Sequence, residues 1–195
     1  NHGELVNVPS VKGAEDCRVG GCIGFDGSDS VIELNDLGGF GDSITVSGWI
    51  RPEEVSDKGV IFSLGDWHET RLNVENGLQW QLSNGSSSSL EAITGSTVTD
   101  NDKWYFVTAT ADLSQDEWKI YVDGKQVASD NPSVNELSSS DSPDVIGSFD
   151  AGGANEIFNG SIDQVRVYNR SLSKQEVWNL YTHGRDRESG MAGPV

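Results

Sequence analysis

The sequence predicts an all-β fold, a sandwich or barrel of antiparallel strands with one short helix near its C-terminal end. Three observations carry that prediction. Apolar residues recur with a period of two almost throughout. Glycine is frequent, at 23 of 195 residues, and turn dipeptides separate the alternating runs. A single helix is written with both of its N-terminal signals near the end of the chain.

The alternation begins clearly in SITVSGWIRP, where Ile44, Val46, Gly48 and Ile50 oppose Thr45, Ser47 and Trp49 until Pro52 stops the run. GVIFSLGD is a short apolar strand ended by Gly65. RLNVENGLQWQLSNG reads as two strands around Asn76-Gly77, a strong hairpin signal, and Asn84-Gly85 then opens a polar loop. KWYFVTATAD and EWKIYVDGKQVA follow, the latter folding back at Asp123-Gly124. SPDVIGSFD is a short strand, GGANEIFNG a glycine-rich loop, and FNGSIDQVRVY the closing strand, with Val165 and Val167 on one face. The spacing gives roughly ten to thirteen strands in one domain, without internal repeat or linker.

The helix follows at once. Ser173 stands three residues before Glu176, a capping box in which each side chain satisfies a free backbone N–H of the other. Leu172 and Val177 form the matching hydrophobic staple, and Gly184 is the expected C-cap. The domain is therefore expected to span residues 1–184, with 185–195 a flexible tail or linker.

The charge is strongly acidic, with 31 Asp and Glu against 13 Lys and Arg and a formal net charge of −18. Such a surface repels nucleic acid and anionic membranes. It is also the surface expected of a halophilic protein, whose charge repulsion is screened within about 3 Å in 1 M salt. No run approaches the roughly 18 apolar residues of a membrane span. Cys17 and Cys22 bracket RVGG, a spacing that allows a tight disulfide-closed turn and favours an oxidising compartment. Sequons at Asn84, Asn159 and Asn169 are compatible with secretion or a cell-surface location. The first residues, NHGELVNVPS, read as the interior of a longer chain.

Four phrases in order, CIGFDGSDSVIEL, ITVSGWIRPEE, KWYFVTATAD with WKIYVDGKQVA, and FNGSIDQVRVYNRSLSKQEVWNLY, resemble the laminin-G-like, concanavalin A-like jelly roll family. The resemblance covers nearly the whole chain to about Tyr181. It implies a jelly roll of two antiparallel sheets of five to seven strands. In some members it implies a structural Ca²⁺ site, whose matching positions here are Asp26, Asp29 and Asp163 with the Gly27 carbonyl. The family's usual first strand is expected to be missing, with NHGELVN a loop and a sheet edge left open to a neighbouring strand.

Fold does not decide function. A glycosidase needs two facing carboxylates about 5 Å apart, and no strand carries acids in such an arrangement. Only three histidines are present, without a nucleophile elbow, so no enzyme activity is expected. Sugar binding needs an aromatic plate beside amides and charged groups. Trp67 offers one, with Asp66, His68 and Arg71; Trp80 offers another, flanked by Gln79 and Gln81. The expectation is a non-catalytic extracellular module binding glycans or surface polymers. The alternative is a structural or adhesive subunit whose partners are neighbouring copies or domains of a surface assembly.

Overall fold

A computed structural model describes residues 3–6, 10–34, 37, 40–55, 58–64, 71–75, 77–82, 90–93, 97–131, 137, 143–151 and 156–189. Fourteen strands are formed among them: β1 (Gly3–Val6), β2 (Ser10–Lys12), β3 (Cys22–Asp26), β4 (Val31–Leu34), β5 (Ser43–Pro52), β6 (Gly59–Ser63) and β7 (Arg71–Val74) in the first part of the chain. They continue as β8 (Leu78–Leu82), β9 (Leu90–Ile93), β10 (Tyr105–Asp112), β11 (Glu117–Val122), β12 (Lys125–Asp130), β13 (Asp144–Ile146) and β14 (Asn159–Tyr168), before helix α1 (Lys174–Ser189). Two seven-stranded antiparallel sheets result. The A sheet runs β1-β4-β13-β6-β7-β8-β9 and the B sheet β12-β11-β10-β5-β14-β3-β2.

The two-residue period decides which side chains meet between the sheets. On β5, Ile44, Val46 and Ile50 face inward; on β8, Leu78, Trp80 and Leu82 do; on β11, Trp118 and Ile120 do. All of these are fully buried, and their combined apolar area is the main stabilising term of the sandwich.

The hairpin at Asp123-Gly124 has the expected two-residue form: Val122 pairs with Lys125, and both turn residues have positive φ, 49° and 73°. The hairpin around Gly77 also forms, but Val74 pairs with Leu78, so its turn holds three residues rather than two. Asn84-Gly85 and Asn76 lie outside the described residues.

Two expectations about the chain ends are corrected. Gly3–Val6 is not a loop but strand β1, paired with Val31–Leu34, and β2 pairs along the other side of β3. The N-terminal stretch thus occupies sheet edges expected to be open. Helix α1 does not stop at Gly184; it runs on to Ser189, so residues 185–189 belong to the helix and not to a tail. Gly184 answers a packing demand instead. A Cβ there would come 2.5 Å from Trp49 Nε1, so only glycine lets the helix lie directly on that ring.

The helix start is as expected. The Ser173 N–H donates to Glu176 Oε2 (2.9 Å), and Leu172 and Val177 are buried in one cluster with Tyr121. Thr45 Oγ1 fixes the approach by accepting from the Leu172 N–H (2.9 Å) and donating to the Arg170 carbonyl (2.8 Å).

Candidate functional site

The outward face of the A sheet carries a polar ladder across β7 and β8. Arg71 stands opposite Gln81 and Asn73 opposite Gln79, while Leu72, Val74, Leu78, Trp80 and Leu82 take the inward positions. Arg71 Nε donates to Gln81 Oε1, and Asn73 Nδ2 donates to Gln79 Oε1 at 2.8 Å. Arg71 Nη1 also reaches Glu156 Oε2 at 3.1 Å, Lys58 pairs with the same carboxylate at 3.0 Å, and the guanidinium lies 4.6 Å from the Phe149 ring centroid. The excursion between β13 and β14 is thereby fastened to the ladder, with Val60 N–H bonded to the Glu156 carbonyl. Asn73 is buried, and its Oδ1 has no hydrogen-bond partner among the described residues.

Three expected residues, Arg71, Gln79 and Gln81, are therefore brought together. Trp80 is not among them. It is fully buried between the sheets, so it has no face to offer a sugar, and its expected stacking role is corrected to core packing. Leu78 and Leu82, two residues to either side, already marked its face as the apolar one. Asp66, Trp67 and His68 lie outside the described residues. The strands before and after them, β6 and β7, are register neighbours, with Ser63 opposite Arg71. Asn73, Glu156 and Phe149 are the members that sequence reading missed. Asn73 could have been found, since it shares Arg71's face at i+2.

Of the four expected calcium ligands, Asp163 is not brought to Asp26, Gly27 and Asp29, which share one turn. Asp26 pairs with Asn159, and Asp163 lies four residues further along β14, about 13 Å away at strand rise. The carboxylates of Asp26 and Asp163 are used otherwise. Asp26 Oδ1 accepts from the Ser28 N–H (2.9 Å), the Asp29 N–H (3.4 Å) and Ser30 Oγ (2.9 Å), closing the turn that Gly27 makes with φ 72°. The Ser28 N–H, helped by the other two bonds, holds the Asp26 carboxyl below its ordinary range. Among the described residues no three His, Cys, Asp or Glu side chains come together around one point.

Asp163 is buried on the outward face of the B sheet, where it accepts from the Val19 N–H at 2.8 Å. Burial pushes its carboxyl up, against the pull of that N–H. Val19 is in the loop closed by the Cys17–Cys22 disulfide, with Cα atoms 5.4 Å apart, so the expected bridge forms and Asp163 anchors its loop. Arg18 of the same loop stacks over Trp49 at 4.3 Å. Tyr181 of α1 also packs on Trp49 and Phe106, with centroids 5.8 and 6.2 Å away. Trp49 thus belongs to a second, outer layer, not to the core between the sheets.

Comparison with known proteins agrees with this architecture. Residues 26–178 match a family described as the concanavalin A-like lectin/glucanases superfamily, under the name Laminin_G_3. No curated protein sequence matches the chain. Among solved structures, the binding domain of Paraclostridial Mosquitocidal Protein 1 superposes with a TM-score of 0.74 at 19% identity, covering 93% of this chain and 47% of that one. Domain 4 of the extracellular arabinanase AbnA from Geobacillus stearothermophilus, in complex with arabinotriose, gives 0.74 at 18% identity over 92% of this chain and 87% of that one. The botulinum neurotoxin serotype D ligand binding domain, in complex with N-acetylneuraminic acid, gives 0.68 at 18% over 93% and 46%. The chain spans about half the length of the two toxin chains and most of the arabinanase domain. No helix among the described residues is long and apolar enough to cross a membrane.

Proposed function

Because the chain belongs to the concanavalin A-like lectin/glucanases superfamily, we propose that it is a non-catalytic extracellular module that binds glycans through the outward face of the A sheet. The observation that carries the reading is the ladder itself. Arg71, Asn73, Gln79 and Gln81 are cross-bonded on one face, with a buried Asn73 Oδ1 still without a partner among the described residues. A rigid row of amides and a guanidinium is what reads sugar hydroxyls, and Arg71 follows Trp67 by four residues in the chain. In this reading Trp67 supplies the stacking plate, and Asp66 and His68 the polar rim. Support also comes from similarity to domains solved with arabinotriose and N-acetylneuraminic acid, and the disulfide supports an oxidising, extracellular setting.

The test is binding to a panel containing arabinan oligosaccharides and sialylated glycans. Trp67→Ala and Arg71→Ala are each expected to abolish retention while the circular dichroism spectrum and Tm stay close to wild type. Retention that survives both substitutions would refute the assignment, as would ordered filaments of the purified chain with no affinity for any glycan.

A further inference from the structure

Two of the Asn-x-Ser sequons fall on β14 and on the bend that follows it, and the fold treats them in opposite ways. Asn159 opens β14 between β3 and β5. It stands opposite Asp26 on one side, and on the other its carbonyl accepts from the Glu53 N–H at 2.9 Å. Its side chain lies on the Gly27 turn, where a Cβ at Gly27 would come 3.0 Å from Asn159 Cβ and 3.2 Å from its Cγ. Ser161, which completes this sequon, is completely buried. An oligosaccharide on Asn159 would have to displace that packing, and the hydroxyl of its sequon is out of reach.

The sequon Asn169-Arg170-Ser171 differs at each of these points. Strand β14 ends at Tyr168, so the three residues form the bend that leads to Ser173 at the start of α1. Asn169 and Arg170 are exposed and Ser171 is half-buried. The bend is held from beneath, because the buried Thr45 Oγ1 bonds both the Arg170 carbonyl and the Leu172 N–H. The middle side chain is drawn aside, with Arg170 Nη1 and Nη2 bound to the two oxygens of Glu176 at 3.1 and 2.7 Å. Among the described residues no hydrogen bond engages the Asn169 carboxamide or the Ser171 hydroxyl. A fixed backbone thus presents an unengaged amide and an unengaged hydroxyl two residues apart, in a surface bend, which is the setting in which a sequon is modified.

We infer that Asn169 is an N-glycosylation site. The donor class is an oligosaccharide joined through its C1 to a polyprenyl phosphate or pyrophosphate. In the transfer the C1–O bond to the phosphate breaks and a bond from C1 to Asn169 Nδ2 forms. The amide gives up one proton and the lipid phosphate leaves with the bonding electrons, so nothing is oxidised or reduced. Tyr168, the residue before the site, pairs with Thr45 on the B sheet, whereas the ladder lies on the A sheet. An oligosaccharide here therefore leaves the proposed binding face open and places a bulky, hydrated group at the entry to α1. The inference rests on the extracellular setting proposed above and shares no residue with the ladder.

The experiment is glycopeptide mapping by mass spectrometry of the full chain purified from its own source. Asn169 is expected to carry the oligosaccharide and Asn159 to be unmodified. Variants secreted from a eukaryotic host that glycosylates test the structural basis. Asn169→Gln and Ser171→Ala are each expected to lose one glycan mass, and Ser171→Thr to keep it. Asn169→Gln is expected to match enzymatically deglycosylated wild type in Tm, which separates a lost acceptor from a lost fold. An unmodified Asn169 in the protein from its source overturns the inference, as does a glycan on Asn159 of the folded chain or one on Asn169 that survives Ser171→Ala. Recovery of the chain from outside the source cells with Asn169 bare assigns the failure to this site and not to the extracellular setting. A modified Asn169 in a chain that binds no glycan leaves this site standing and overturns only the A-sheet reading.

Discussion

On the A sheet the outward positions of β7 and β8 carry Arg71, Asn73, Gln79 and Gln81; on the B sheet those of β5 and β10 carry Trp49 and Phe106. Both faces arise from the same two-residue alternation over one shared core. The polar face pairs its side chains across the strands, Asn73 Oδ1 excepted. The aromatic face cannot, and it is covered by two separate segments, the disulfide loop through Arg18 and helix α1 through Tyr181 and Gly184. An outward aromatic row therefore marks where a sandwich needs a third layer, and an outward amide row marks where it does not.

The comparison can be broken most severely at Trp49. Trp49→Ala removes the ring shared by both covering segments and is expected to cost about 3–5 kcal/mol, with early loss of amide protection across α1. Gly184→Ala sharpens it. In an isolated helix this change stabilises by about 1 kcal/mol, but here the new Cβ would be driven against Trp49 Nε1, so a net loss of Tm is expected. A rise in Tm would show that α1 does not rest on that ring.

Next in size is the disulfide loop. Cys17→Ser with Cys22→Ser is expected to cost about 2 kcal/mol for so short a closed loop. Asp163→Ala, which leaves the Val19 N–H without its acceptor, is expected to cost about 1–3 kcal/mol. Because both changes free the same loop, a double-mutant cycle should show the triple variant losing less than the sum. Strict additivity would separate Asp163 from the loop. By contrast, Arg71→Met on the polar face keeps the aliphatic stem and is expected to change stability by about 1 kcal/mol or less, while binding to glycans is lost.

What was legible in the sequence follows from how local each requirement is. The two-sheet architecture, the capping box at Ser173 and Glu176, and the two-residue turn at Asp123-Gly124 depend on neighbours in the chain, and each could be read directly. Gly184 was misread because a glycine after an amphipathic run signals a C-cap, whereas its real constraint is Trp49, far away in sequence. Asp163 was assigned to calcium by motif; register, which a motif does not encode, places it with Val19 and away from Asp26.

The smallest expected effect lies at the entry to the covering helix and is best read as a pH dependence. The Arg170 guanidinium, joined by the N–H and hydroxyl of Ser173, lowers the Glu176 pKa from its ordinary 4.5 to about 2. A carboxylate depressed in the fold stabilises it fully above its unfolded pKa and loses that contribution as pH falls through the folded value. Wild type should therefore exceed Glu176→Gln in Tm above about pH 5, with the difference shrinking between about 4.5 and about 2. Added salt should weaken the part due to Arg170, because that pair is exposed, but not the bonds to Ser173. A difference between wild type and Glu176→Gln that stays constant from neutral pH to about 2 would mean that the capping box does not hold the helix that covers Trp49.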